Sequence, residues 1–132
     1  MALTEQQLAW IDENPFVGVV TDLRPDGSLH STIVWVDVVD GRVGFNTAVG
    51  RAKERYLRND PRISLVVVDP GNTYKWVSIS GRAEFVTEGS DAQIDKLAKK
   101  YLGQDTYPFR NDAETRIGVC IVAEKVDSSG FE

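Results

Sequence analysis

The feature that most constrains this chain is the punctuation of its β-rich runs. FVGVVTD, SLHSTIVWVDVV, RVGFNT, RISLVVVD, KWVSIS, RAEFVTE and TRIGVCIVAEKV follow one another along the sequence, with turn residues between most of them. Arg24-Pro25-Asp26-Gly27 and Asp40-Gly41 are hairpin chemistry, because proline presets φ for a turn and glycine accepts a positive φ without a steric cost. Strands in succession, not alternating with long helices, predict a mainly β protein with short helices. Its expected form is an antiparallel barrel of six to seven strands, not a doubly wound sheet. Residues 16–47 read as a three-stranded meander. Gly81 reads as a bulge in one long strand that includes KWVSIS and RAEFVTE.

Three helical patterns interrupt the strands. Thr4 and Gln7 have capping-box spacing, with Leu3 and Leu8 placed as a staple, and this helix is expected to stop near Glu13, ahead of Pro15. A basic segment near Gly50 forms the second, ended by Asn59-Asp60-Pro61. Ser90, with Gln93 three residues on, is expected to cap the third. Its apolar stripe is Ile94, Leu97, Ala98, Tyr101 and Leu102, and Gly103 ends it. A chain of 132 residues buries a core as a single domain, residues 1–132.

In the run SLHSTIVWVDVV both faces are apolar, with Leu29, Ile33 and Trp35 on one and Val34, Val36 and Val38 on the other. One face of a barrel strand is ordinarily wet, so a partner subunit is the expected cover and a homodimer the expected state. No apolar run approaches the roughly 18–20 residues that cross a bilayer. The opening MALTEQQLAWIDENP lacks the basic start and apolar centre of a signal peptide, and a lone cysteine forms no internal disulfide. The cytoplasm is the expected compartment. One histidine and one cysteine exclude a zinc site built from those ligands, and no metal is expected.

Charge is unevenly spread. VGRAKERYLRNDPR, residues 49–62, holds five of the fifteen basic residues, a net +3 against −8 for the rest of the chain. An acidic body with one basic site points to a specific anion and not to nucleic acid. On a helix from Gly50, Arg51, Arg55 and Arg58 share one face, while Lys53 falls in the first turn among Ala52, Tyr56 and Leu57 on the packed side. Cations there oppose the helix dipole unless an anion is present. Thr47-Ala48-Val49-Gly50 offers a small lead-in whose N–H groups suit a phosphate. The plainer reading is a solvated face with Lys53 snorkelling past its neighbours. There is no GxxxxGK and no GxGxxG, so neither a P-loop nor a classical dinucleotide fold is indicated.

Other candidates are weaker. Trp35 and Trp76 serve either as packing or as walls against a flat ring. His30 reads as an ordinary strand residue, and Cys120 as an inert thiol among aliphatic neighbours. Asp22/Asp26 and Asp37/Asp40 read as strand ends and turns. No acid–base or nucleophile set emerges, so an enzyme of this sequence relies on a cofactor for its chemistry.

The run GRAKERYLRNDPRISLVVVDP, with Arg51, Lys53, Leu57, Asp60, Pro61 and Arg62, resembles the pyridoxamine 5′-phosphate oxidase-like split β-barrel flavoproteins. It is most similar to the branch using the deazaflavin coenzyme F-420, and KWVSISGRAEF and KKYLGQDTYPF add to the likeness. The resemblance implies a homodimer with two cofactor sites at the interface. Arg51 and Lys53 then hold the cofactor phosphate, Ser31, Thr32, Val34 and Trp35 line the ring, and Thr47 and Ala48 lie near the ribityl–phosphate part. The segment Asn72–Trp76 approaches the site, and Arg116 adds positive charge at the tail. No basic segment for pyridoxal phosphate is present near DSSGFE, so oxidation of pyridoxamine 5′-phosphate itself is not expected. Arg55 and Arg58 suit the polyglutamyl lactate tail of the deazaflavin. The implied function is hydride transfer between reduced F-420 and a small unsaturated organic acceptor. The alternatives are an FMN-binding oxidase or reductase, or a non-catalytic protein that binds flavin, deazaflavin or haem.

Overall fold

The computed structural model describes residues 2–131. In chain order its elements are α1 (Glu5–Glu13), β1 (Gly18–Leu23), β2 (Leu29–Val34), β3 (Asp37–Val39), β4 (Arg42–Ala48), α2 (Ala52–Asn59), β5 (Arg62–Asp69), β6 (Asn72–Val86), α3 (Ser90–Leu102) and β7 (Arg116–Ser129). All strand pairs are antiparallel, in one seven-stranded sheet of order β2-β1-β5-β6-β7-β4-β3.

Local chemistry explains the turns. Gly27 sits at φ 85° between β1 and β2, and its N–H donates to the Arg24 carbonyl at 2.8 Å. Asp40 and Gly41 both have positive φ, 54° and 76°, as a two-residue type I′ hairpin between β3 and β4 requires. The expected capping box forms on α1, where Thr4 Oγ1 accepts from the Gln7 N–H and Gln7 Oε1 accepts from the Thr4 N–H. β6 is one long strand with its register shift between Ser80 and Gly81. A Cβ at Gly81 would lie 1.9 Å from the Val122 carbonyl oxygen, so only glycine fits the bulge.

Two expectations are corrected. Residues 16–47 are not a meander, because the run SLHSTIVWVDVV breaks at Trp35-Val36 and its two hairpins lie at opposite edges of the sheet. The cause is at Val36, whose N–H donates to Tyr101 Oη (3.0 Å) and whose carbonyl accepts from Lys100 Nζ (2.7 Å). A residue with both backbone groups committed to side chains cannot continue a ladder. Two residues thus join the outermost strands β2 and β3, so the sheet must curl into a barrel. Ser90 is not the cap of α3 either. Gly89, at φ 76°, takes that place, and the Ser90 hydroxyl contacts the Val86 and Thr87 carbonyls. The αL residue Gly103 ends the helix as expected.

Alternating strand residues fill the barrel: Val20, Phe45, Ile63, Leu65, Val67, Ile79, Val119 and Ile121 are buried together, joined by Trp10 and Ile11 from α1 and Leu57 from α2. Each such side chain contributes about 1.5–3 kcal/mol relative to exposure, and buried Leu57 is one of the contacts that seat the short α2. β2 differs on its outer face, where Leu29 is 68% and Ile33 61% exposed. Among the described residues no helix is long and apolar enough to cross a membrane.

Candidate functional site

The helix bearing the basic segment starts at Ala52, with Arg51 as an N-cap residue whose side chain makes no capping bond. Instead the Arg51 guanidinium reaches Glu114, donating to Oε2 from Nη2 at 2.6 Å and from Nε at 3.1 Å. Across the β4–β7 ladder, Arg116 stands opposite Ala48. Its Nε donates to Asn46 Oδ1 at 2.8 Å, and its Nη1 lies 3.6 Å from Glu114 Oε1 with no hydrogen-bond partner. The buried hydroxyl of Thr47 also has no partner.

Lys53 completes the group. Burial pushes its pKa down, the charges of Arg51 and Arg116 push the same way, and the Asp22 carboxylate opposes them. Burial also lowers the pKa of Arg116, with Arg51 and Arg110 adding to it against Tyr107 and Glu114. Three cations therefore converge where β4 enters α2, and one carboxylate, Glu114, bridges two of them. A buried guanidinium N–H and a buried hydroxyl, both unpaired, suit a ligand bringing several anionic oxygens.

The lead-in amides do not contribute as expected. The Val49 N–H donates to the Thr115 carbonyl, the Arg51 N–H to the Ala48 carbonyl, and the Gly50 N–H to Glu54 Oε1 at 2.8 Å. Glu54, a residue the helical pattern left unnoticed, is buried and also pairs with Arg58. The Arg58 guanidinium lies 4.1 Å from the centre of the Phe85 ring, so this arginine braces α2 against the barrel. The Val49, Gly50 and Arg51 amides are therefore committed within the chain, and only side chains are left to meet an anion here.

His30 is not a lone strand residue. Its Nδ1 is 2.7 Å from Oδ1 of the buried Asp22, its cross-strand partner, and its ring packs edge-on against Tyr56 of α2 at 5.2 Å. Counting back from the Arg24–Ser28 turn would have found the pair, since Leu23 opposite Leu29 sets Asp22 opposite His30. Cys120 is half-buried, 3.9 Å from Arg42 Nη1, and not enclosed by its aliphatic neighbours. Among the described residues no group of three or more His, Cys, Asp or Glu side chains is placed to hold a metal.

The sequence matches the pyridoxamine 5′-phosphate oxidase family over residues 3–129. The chain belongs to that family. Its structure is similar to an F-420 reductase, at 25% identity and a TM-score of 0.80, covering 95% of this chain and 98% of that one. A conserved hypothetical protein of Mycobacterium tuberculosis is 27% identical at a TM-score of 0.77, covering 98% of this chain and 86% of the other. A putative pyridoxamine 5′-phosphate oxidase of Listeria innocua shares the fold at 17% identity and a TM-score of 0.68, over 94% of this chain and 95% of that one. No curated protein matches the sequence significantly.

In this pyridoxamine 5′-phosphate oxidase-family barrel, Thr47, Ala48, Arg51 and Lys53 come together at the β4–α2 joint. Thr32 and Val34 lie on the inner side of β2, and the Thr32 hydroxyl is buried without a partner. Ser31 is on the outer side with Leu29 and Ile33, its hydroxyl 2.9 Å from that of Thr21. Trp35 follows β2 and stacks on Tyr101, ring centres 5.4 Å apart and planes within 7°. Trp76 is opposite Val68 and Ser129, at the other end of β6 from Val86, whose partner Gly118 also pairs with Asn46. The single chain does not bring Trp76 to the anchor.

Proposed function

We propose that the protein is a coenzyme F-420-dependent oxidoreductase acting on a small unsaturated organic acceptor. The observation carrying this reading is the convergence of Arg51, Lys53 and Arg116 at the β4–α2 joint, beside the unpaired Thr47 hydroxyl. Such a set fits a phosphate monoanion or diester: two guanidinium forks, an ammonium and a hydroxyl donor around one tetrahedral group. The likeness to an F-420 reductase along nearly the whole of both chains favours the deazaflavin over FMN. When bound, the deazaflavin supplies the hydride. The chain's own residues hold its phosphate, and Thr32 and Val34 are proposed to line its ring.

Arg51 must exchange Glu114 for the ligand, and Glu114 then turns toward water. The proposed unit is a homodimer, because Leu29 and Ile33 leave an apolar strip on an edge strand that water solvates poorly. Trp35 and Trp76 are proposed as site walls in that dimer, with Trp76 supplied by the partner subunit.

The test is a fluorescence titration of the full chain with F-420 and with FMN. F-420 binding tighter than about 100 μM, roughly 5.5 kcal/mol, is expected. Tighter FMN binding replaces the deazaflavin by a flavin on the same anchor, and failure of both sinks the reading. An acceptor screen with the reduced cofactor then separates an enzyme from a carrier, which binds without turnover. Sedimentation should show a dimer that Ile33→Lys converts to monomer.

A further inference from the structure

A second site lies on the opposite side of the β4–β7 ladder from the barrel core. A cavity of about 640 Å³ opens between the first turns of α3, the β3–β4 hairpin and the neighbouring part of β7. Gly44 and Gly118 thin its floor: a Cβ at Gly44 would lie 2.8 Å from the Val119 carbonyl oxygen, and one at Gly118 would lie 2.9 Å from Gln93 Oε1. Val39 and Val86 provide apolar lining. None of Thr47, Arg51, Lys53 or Arg116 borders this space, so it is separate from the phosphate anchor.

Among the lining residues is Asp37, only 1% exposed. Its Oδ1 accepts from Gln93 Nε2 at 3.2 Å. Its Oδ2 is buried with no hydrogen-bond partner, and the nearest cation, Lys96 Nζ, stays 3.6 Å away on a half-exposed side chain. Burial pushes the Asp37 pKa up in spite of Lys96. A buried carboxylate oxygen left short of donors is costly to the fold.

We propose that this cavity is a ligand site for a small molecule with a ring-sized apolar body and one protonated amine, the amine binding Asp37. The volume is that of an ordinary small-molecule pocket. An ammonium brings three donors to an oxygen that lacks one, and the valine walls take the ring. An anionic ligand is disfavoured, since Asp40 and Glu88 also border the cavity and Arg42 is paired with Glu84. Lys96 has a water-exposed route and yields its place to the ligand amine.

The test uses the full chain, benzylamine as probe and benzyl alcohol as its neutral counterpart, read by the amide NMR shifts of Gly44, Gly89 and Gly118. Benzylamine should shift these amides saturably and bind at least tenfold more tightly than the alcohol, and Asp37→Asn should remove that preference. Ala92→Phe, on the exposed face of α3 at the cavity rim, should abolish the shifts with Asp37 intact, so the proposal stays testable if Asp37→Asn folds poorly. Equal binding of amine and alcohol overturns it. So does an absence of saturable shifts at about 10 mM probe, or an amine preference that survives either substitution. F-420 affinity has no bearing on any of these outcomes.

Discussion

The β4–α2 joint and the cavity beside α3 share one ladder and carry opposite electrostatic imbalances. At one end of the β4–β7 pair Ala48 faces Arg116; a few residues back along β4, Gly44 faces Cys120. The joint gathers Arg51, Lys53 and Arg116, with Glu114 bridging the two arginines and Asp22 acting on Lys53, whereas the cavity holds the Asp37 carboxylate with one lysine beyond hydrogen-bond reach. In both, the compensating group, Glu114 or Lys96, is a long side chain with access to water. A fully partnered surface pair is treated differently: Asp60, at the end of α2, is bonded directly to Arg62, which holds its pKa at about 2. A buried charge with a displaceable partner marks a candidate site.

The largest effect should come from removing the cations at the joint. Arg51→Ala combined with Lys53→Ala is expected to weaken cofactor binding by more than about 100-fold, roughly 2.7 kcal/mol, with an unchanged circular dichroism spectrum. A matching loss of fold would mean that the cations serve stability, and the contrast with Asp60–Arg62 would disappear. Glu114→Gln should act the other way. It removes the resident competitor, so affinity for F-420, measured by the same titration, should rise about tenfold, roughly 1.4 kcal/mol.

At the cavity the corresponding change is expected to appear as stability. The Asp37 pKa is raised, so the folded state holds that proton more tightly than the unfolded chain. Its contribution is present below the ordinary carboxylate pKa and is lost as pH rises through the folded value. Asp37→Asn should remove this downward slope in urea denaturation and gain about 1 kcal/mol at neutral pH. A loss of stability instead would show that Lys96 already satisfies the carboxylate.

The smallest effect tests a buried cation that is fully partnered. Lys100 donates to the Ile11 and Val36 carbonyls, and burial brings its pKa to about 8. The unfolded chain keeps that proton up to a higher pH, so stability should rise between pH 8 and the ordinary lysine pKa. Tyr101, pushed up to about 12 by burial, opposes this above the ordinary tyrosine pKa, because the folded state then holds the proton longer. Lys100→Met should erase the rising limb and cost some stability at every pH through the Ile11 and Val36 carbonyls it leaves without a donor, while F-420 and benzylamine binding stay as they were.

Legibility in the sequence tracked range. The Thr4–Gln7 box, the Asp40-Gly41 hairpin, the Gly81 bulge and the Gly103 stop were readable because each depends on residues a few positions apart. The R-x-K pair was readable as a candidate phosphate anchor because cations in a first helical turn are costly without an anion. Arg116 was named only through the family resemblance, and nothing in local patterning marked Glu114 as its neighbour. Asp22 and Asp37 read as strand ends and turns, yet both are buried.

The sequence by itself determined the hairpin turns, the α1 capping box and the Gly103 stop, and it marked the start of α2 as a candidate anion site. Those outcomes follow from backbone sterics and near-neighbour hydrogen bonds. Tertiary structure alone decided where the strand through Trp35-Val36 breaks, since the groups that claim Val36 come from Lys100 and Tyr101, 64 and 65 residues along the chain. It also decided which charges are left short of partners. Ion pairing between distant segments is set by the order of strands in the sheet, and that order places Arg116 beside Ala48.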